Sequence, residues 1–465
     1  MEYTTEDSCK DLQIAYVGGG SRGWAWNFMT DLAMDPQVSG TIRLYDIDRK
    51  AAECNRIIGE KITRDPQARS SWHYEVSADL AGALTGADIC VISILPGTFT
   101  EMRSDVHAPE KYGIYQPVGD TVGPGGFMRA LRSIPMFAEI GTAIRDYAPN
   151  AWVINYTNPM TLCVRALYEV FPEIKAFGCC HEVFGTQNLL CQMLAGEYGR
   201  EGVRRQDLDT TVTGVNHFTW LTAASYKGLD LFPMYRSFAA KYAADGYTVG
   251  RDTNWLNSFF RSAQRVKFDL FLKYGLIAAA GDRHLAEFMP HPYLDSPDAV
   301  RQWGFGLTPV AWREENLQER LERSNRLISG EELPNMESSG EEGHLLIKAL
   351  LGLGSLITNV NIPNRGQISN LPLGAVVETN AYFSRDRLDP LFVGGLPPNL
   401  HPIFERIVCN HENTLTAALT CNRELALETF MNDPQMNRIT IGDGKQLFED
   451  MLSAQKQYLP SQWFA

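Results

Sequence analysis

The stretch from residue 12 to residue 34 constrains the fold more than any other part of the chain. An apolar run, 12–17, leads directly into Gly18-Gly19-Gly20-Ser21-Arg22-Gly23. Trp24–Met34 follows, with apolar residues at helical spacing, and Pro36 ends the pattern. A buried strand that turns through glycines into a helix is the opening unit of a doubly wound parallel sheet. Gly18, Gly20 and Gly23 satisfy G-x-G-x-x-G. Residues without Cβ make the turn and let the backbone approach a pyrophosphate, whose charge the helix N-terminus stabilises. Asp46 stands about 20 residues further on, after the apolar run 41–45, where a carboxylate can accept from ribose hydroxyls. The set Gly18, Gly20, Ser21, Gly23 and Asp46 is therefore expected to bind a dinucleotide. Asp46 favours NAD, although Arg22 and Arg49 leave NADP open. A tight glycine turn with no ligand is the plain alternative.

The alternation continues through the first half. Strands are expected at Trp72–Val76, 89–94, 152–156 and 174–178. Helices are expected at 50–61, Leu80–Leu84 and 127–147. Beyond residue 190 the alternation weakens, with a strand at 210–215 and helices at 254–274, 341–358 and 411–432. The expected architecture is an N-terminal Rossmann-type domain over 1–195, binding NAD. A mixed α/β domain over 196–465 would bind substrate, complete a metal site and mediate oligomerisation.

The composition is that of a globular protein: of 465 residues, 44% are hydrophobic and 21% charged. A net charge of −13 makes nucleic acid and anionic membranes poor partners for the surface as a whole. The first seven residues lack the basic and apolar regions of a signal peptide. No uncharged apolar run approaches the roughly 20 residues needed to cross a bilayer. The greasiest stretch, 345–357, is interrupted by Lys348 and reads as a core helix. Nine cysteines scattered over a long chain are unlike a disulfide framework and point to a reducing, cytoplasmic setting.

A second constellation is Cys180-His181-Glu182, with Asn216-His217 further along. Cys180 follows a predicted strand, at the carboxyl edge where open α/β sheets place ligands. A thiolate and an imidazole, Cys180 with His217, can hold Mn2+ or another divalent ion and leave positions open for substrate oxygens. A buried free cysteine and a core histidine are the alternative. Asp120 lies in the glycine-rich stretch 118–126, expected to be a loop that wraps a cofactor or substrate. Asn158-Pro159 closes the strand 152–156. Gly281-Asp282-Arg283-His284 is a dense ionisable run after the apolar 276–280; a helix terminus with a surface ion pair is its plain reading.

Taken together, these segments resemble glycoside hydrolase family 4, the NAD- and metal-dependent glycosidases. The likeness runs over nearly the whole chain: 18–23, 119–126 with Arg129, 155–159, 180–183, 214–217, 360–366, 368–372 and 376–378. Cys180-His181-Glu182-Val183 is similar to the form found in members that act on α-galacturonides. The resemblance implies a Rossmann domain followed by a mixed α/β domain, as in lactate and malate dehydrogenases, assembled as a homodimer or homotetramer. It also implies a redox-assisted elimination, outside the usual two-carboxylate scheme. NAD+ takes a hydride from sugar C3, a base removes the acidified C2 proton, the C1–O bond breaks, water adds, and the hydride returns. On this reading Cys180 and His217 hold the metal, Asp282 or Tyr274 is the base, and His181 is the acid. Asp120 and Asn158 orient sugar hydroxyls, and Arg283 receives the C6 carboxylate of a sugar-acid glycoside. A glycosidase of the same family for an α-glucuronide or α-galactoside is one alternative. A plain NAD-dependent hydroxy-acid dehydrogenase and a non-catalytic NAD sensor are the others.

Overall fold

The computed structural model describes residues 1–5, 8–248 and 262–464. Its strands are β1 (Glu2–Thr5), β2 (Ser8–Val17), β3 (Val38–Tyr45), β4 (Trp72–Val76), β5 (Ile89–Ile92), β6 (Trp152–Asn155) and β7 (Lys175–Gly178). Then come β8 (Leu208–Val215), β9 (Phe218–Tyr226), β10 (Leu229–Asp230), β11 (Ile277–Ala278), β12 (Leu356–Pro363), β13 (Val376–Ser384) and β14 (Arg387–Pro390). The main sheet runs β14-β13-β12-β7-β6-β5-β2-β3-β4. From β7 to β4 its strands are parallel, in the doubly wound order that reverses between β2 and β5.

Alternation along the central strands explains why both faces are covered. Ile14, Tyr16, Ile89 and Val91 point into one core, with Trp26, Met29 and Leu32 of the helix Trp24–Met34. Ala15, Val17, Cys90 and Ile92 point into the other, with Leu131, Ile134 and Phe137 of the helix Gly123–Tyr147. Each large side chain buried here contributes roughly 1.5–3 kcal/mol. The carboxyl edge of the parallel strands is thereby fixed as one rim, from which the glycine turn, Asn158 and Cys180 all emerge.

The C-terminal half departs from the sequence reading in several places. The expected helix 341–358 is the helix Gly343–Leu350 followed by β12. Gly352 and Gly354 take positive φ (77° and 143°) and break the helical run. The middle of β12, from Thr358 to Ile362, is buried on both faces, which erases the alternation that marks a strand. The greasy stretch 345–357 is thus part helix and part strand. Likewise 411–432 is two helices, His401–Thr420 and Arg423–Met431, separated at Cys421 (φ 53°). The helix expected at 127–147 begins earlier, at Gly123, so part of the glycine-rich stretch is helical. Of the helix expected at 254–274, Arg265–Tyr274 is seen, and 254–261 lie outside the described residues. A second sheet is built on the β8–β9 hairpin with β10 and β11. β12 pairs with β7 through Asn361 and Gly178, so C-terminal strands extend the N-terminal sheet. Among the described residues no helix is long and apolar enough to cross a membrane.

Candidate active site

The glycine turn is held from three sides. Gly18 and Gly19 both donate to the Tyr45 carbonyl at 2.9 Å, and Gly20 donates to Asp46 Oδ2 at 2.9 Å. Buried Asn55 donates to the carbonyls of Gly19 (2.7 Å) and Ser21 (2.9 Å), and accepts from Trp26 Nε1 at 2.7 Å. A Cβ on Gly18, whose φ is 92°, would lie 2.0 Å from the Ser93 carbonyl oxygen. Gly23 caps the helix Trp24–Met34 without any side-chain acceptor, leaving its first amides for an anion. The turn, its amides and Asp46 fit a dinucleotide. Asn55, 29 residues beyond Trp26 in sequence, escaped the sequence reading because an asparagine within a helix carries no local signal.

Elsewhere, side chains from four segments converge. Asp120 precedes the helix Gly123–Tyr147, Glu182 begins the helix Glu182–Tyr198, and His217 sits in the β8–β9 turn. His284 lies in the helix Asp282–Phe288. One ligand-type atom from each of Asp120, His217 and His284 lies within 4.8 Å of the others. The two imidazoles stack with centroids 3.7 Å apart. His217 adopts φ 65°, a conformation that costs a residue with a Cβ roughly 1–2 kcal/mol. The turn is braced by Asn216, which donates to Glu378 Oε2 on β13 at 3.1 Å. Asn359 on β12 donates to Glu378 Oε1 at 2.7 Å.

Thr121 sets the state of His217. Its Oγ1 lies 2.7 Å from Asp120 Oδ1 and 2.8 Å from His217 Nδ1. Burial opposes charge on Asp120, but Arg129 and the two histidines outweigh it and keep the carboxyl far below its usual range. An ionised carboxylate only accepts, so the single hydroxyl proton goes to Asp120 and Nδ1 must be the donor of His217. The lone pair is then on Nε2. Burial and the neighbouring His284 push His217 down to about 3, so the ring is a neutral ligand at physiological pH. His284 is lowered too, chiefly by burial, and its Nδ1 is buried without a hydrogen-bond partner. Two neutral imidazoles and a carboxylate form a donor set that suits a borderline or hard divalent ion such as Mn2+.

Glu182 was noted in the sequence but given no role. It accepts from the Gly281 amide at 2.8 Å and faces His284 Nε2 at 3.7 Å. Burial opposes its charge, but the histidines and that amide together bring it down to about 2. His181 sits beside it, 3.3 Å from Glu341 and 5.8 Å (ring centroids) from Trp24, the first residue of the fingerprint helix. Cys180 is buried, and among the described residues it belongs to no group of three ligand atoms. Burial, with Glu378 and Glu182 nearby, raises its thiol well above the ordinary value.

The remaining expected residues divide. Asn158 projects from the end of β6 with Oδ1 buried and unpaired, while its carbonyl accepts from Arg129 Nε at 3.1 Å. Arg283 donates to the Pro117 carbonyl and to Thr308, and its guanidinium shares the neighbourhood of Asp120, Glu182 and Arg313. Asp282 and Tyr274 are not in this cluster. Asp282 is fully buried and accepts from the Lys267 amide at 3.1 Å, its other oxygen unpaired. Tyr274 ends the helix Arg265–Tyr274 and packs edge-on against Trp220, centroids 5.7 Å apart. The ionisable run at 281–284 is indeed a helix terminus, but one turned inward rather than a surface pair.

Residues 13–196 match the family described as family 4 glycosyl hydrolase, and 212–436 match the C-terminal domain of the same family. The chain belongs to glycosyl hydrolase family 4. It is 57% identical to an alpha-galacturonidase of Thermoanaerobacterium saccharolyticum over 460 residues, covering 99% of this chain and 98% of the relative. An alpha-galacturonidase of Bacillus subtilis is 52% identical over 441 residues, 95% of this chain and 97% of that one. Among solved structures, a Bacillus subtilis protein provisionally named as the glucosidase lplD superposes with a TM-score of 0.91 at 51% identity. That match covers 96% of this chain and all of the other. A 6-phospho-beta-glucosidase of Thermotoga maritima, solved with manganese, NAD+ and glucose-6-phosphate, shares the fold at a TM-score of 0.77. It has 21% identity, over 97% of this chain and 99% of that one. The family and the doubly wound fold expected from the sequence are both present.

Proposed function

We propose that this family 4 glycosidase hydrolyses α-galacturonides with the help of NAD and Mn2+ or a similar divalent ion. The observation that carries the reading is the likeness to alpha-galacturonidases over almost the entire chain. When bound, NAD+ and the ion supply reversible hydride acceptance at sugar C3 and Lewis-acid polarisation of the neighbouring oxygens. The glycine turn and Asp46 would hold the dinucleotide. His217, through Nε2, would hold the ion with Asp120 and His284. Cys180 is the further ligand the sequence offers, and it would ligate only as the thiolate, against the push of burial first and of Glu378 and Glu182 beside it. A Cys180→Ser variant separates the two ligand sets: unchanged metal affinity removes the cysteine.

Asp120 and Glu182 are anionic here, whereas Arg129, Arg283 and Arg313 share their neighbourhood as cations. That positive excess, inside a protein of net charge −13, suits a sugar acid, with Arg283 the forked donor for its carboxylate. Asn158 Oδ1 would accept from a sugar hydroxyl. His181, the N-cap of Glu182–Tyr198, would donate the proton that releases the leaving group. Asp282 and Tyr274 stand as base candidates for C2; Asp282 would have to turn its unpaired oxygen toward the site. The enzyme would act in the cytoplasm as a homodimer or homotetramer. Exposed Ile357 and Tyr382, paired across β12 and β13, offer an apolar contact surface.

The test is to supply an aryl α-galacturonide with NAD+ and Mn2+ and follow aryl alcohol release in deuterated water. Release with deuterium at C2 of the product and no accumulation of NADH is expected. Release that persists without either cofactor would end the elimination reading, and stoichiometric NADH would indicate a dehydrogenase instead.

A further inference from the structure

Glu287 stands one turn after His284 on the helix Asp282–Phe288 and is 1% exposed. Its Oε1 accepts two consecutive backbone amides, Val118 N at 2.7 Å and Gly119 N at 2.8 Å. The next residue is Asp120. One short helix therefore presents an imidazole to the donor cluster and a carboxyl to the loop that carries the third donor. Gly119 and Gly123 in this loop both take positive φ (68° and 70°), and its other ties fall on either side of the two amides, from Arg283 to the Pro117 carbonyl and from Thr121 to Asp120 and His217. Its far end is tied separately, by Gly123 N donating to Asp433 Oδ2 at 2.9 Å. Glycine-rich backbone loses more entropy on ordering than any other, so the amides before Asp120 need a fixed acceptor.

We propose that Glu287 is a positioning residue for the divalent-ion site: by gripping the Val118 and Gly119 amides it sets Asp120 at ligand distance from His217 and His284. This rests on reading those three side chains as the metal donors. The grip needs an acceptor at the right reach and not a charge. Burial pushes the Glu287 carboxyl up to about 8 despite the two amides, so at neutral pH it is largely the neutral acid. Glutamine keeps an oxygen at the same reach. Aspartate withdraws it by one methylene, and alanine removes it and enlarges a cavity of about 50 Å3 that Glu287 also lines.

Mn2+ affinity is measured by titration calorimetry on the NAD-free full-length protein, beside a melting curve for each variant. Glu287→Gln is expected to bind within about twofold of wild type. Glu287→Asp and Glu287→Ala are expected to bind roughly 10–100-fold more weakly, the usual effect of removing a residue that orients a ligand. If alanine at this position prevents folding, the aspartate and glutamine variants decide. A folded Glu287→Asp with wild-type affinity overturns the proposal, as does a glutamine variant as weak as aspartate. His217→Ala is measured in parallel. If it retains wild-type affinity, the metal reading itself fails and the role of Glu287 falls with it. If it loses the ion while Glu287→Asp keeps it, only the role of Glu287 falls.

Discussion

Replacing Thr121 with valine tests how the state of His217 is set. The two side chains have nearly the same shape, but valine removes a hydroxyl that lies 2.7 Å from Asp120 Oδ1 and 2.8 Å from His217 Nδ1. A hydrogen bond to an ionised group contributes about 1.5–3 kcal/mol and a neutral one about 1 kcal/mol, so roughly 2.5–4 kcal/mol of local interaction is lost. Part of that loss appears as instability, because an imidazole N–H is left buried without an acceptor. The part that reaches the metal is expected to weaken affinity 10–100-fold, or about 1.4–2.7 kcal/mol. Calorimetric titration of Mn2+ into the NAD-free variant gives the affinity, and urea unfolding gives the stability. Thr121→Ser keeps the hydroxyl and should restore most of the affinity. A valine variant that binds Mn2+ within twofold of wild type would show that this hydroxyl does not choose the tautomer.

Other expectations follow from the same geometry. Gly18→Ala places a Cβ 2.0 Å from the Ser93 carbonyl at φ 92°; a loss of roughly 2–5 kcal/mol in urea unfolding is expected, with much weaker NAD binding, and unchanged values for both would refute the cradle. Glu378→Gln sets an NH2 against an asparagine NH2 in the Asn216–Glu378–Asn359 bridge; a cost of about 1–3 kcal/mol and weaker Mn2+ binding are predicted, and wild-type behaviour in both would exclude the bridge as a support. Burial pushes His411 down to about 4, below the ordinary 6.5. The unfolded chain therefore binds the extra proton first, and stability is complete above pH 6.5 and lost as pH falls toward 4. At pH 5 this group alone costs about 2 kcal/mol. His411→Gln should flatten the melting temperature between pH 7 and 5 relative to wild type, and parallel curves would remove His411 as the cause.

The parts of the molecule that were legible in the sequence are those specified locally. The glycine turn, Trp24–Met34, Trp72–Val76 and Leu80–Leu84 are written in spacing and turn chemistry, and each forms where the pattern places it. Buried strands such as β12 are harder, because two covered faces leave no alternation to read. The site shows the same limit. His217 and Cys180 drew notice as residue types, but the meeting of Asp120, His217 and His284 depends on long-range packing of three separate segments. Thr121 and Glu287 carry no signal of their own in the sequence, and Glu182 stands out there without a role, for a related reason. Their roles are to hold other residues, and only the folded contacts show which.

The seam between β7 and β12 carries a further consequence. Main-chain pairing across it makes the cofactor-binding layer and the strands that prop up the His217 turn one continuous fabric. Parting the two halves would therefore mean breaking the sheet at the Asn361–Gly178 pair. A disturbance at that seam would be felt at Asn359 and Glu378, and through Asn216 at the His217 turn.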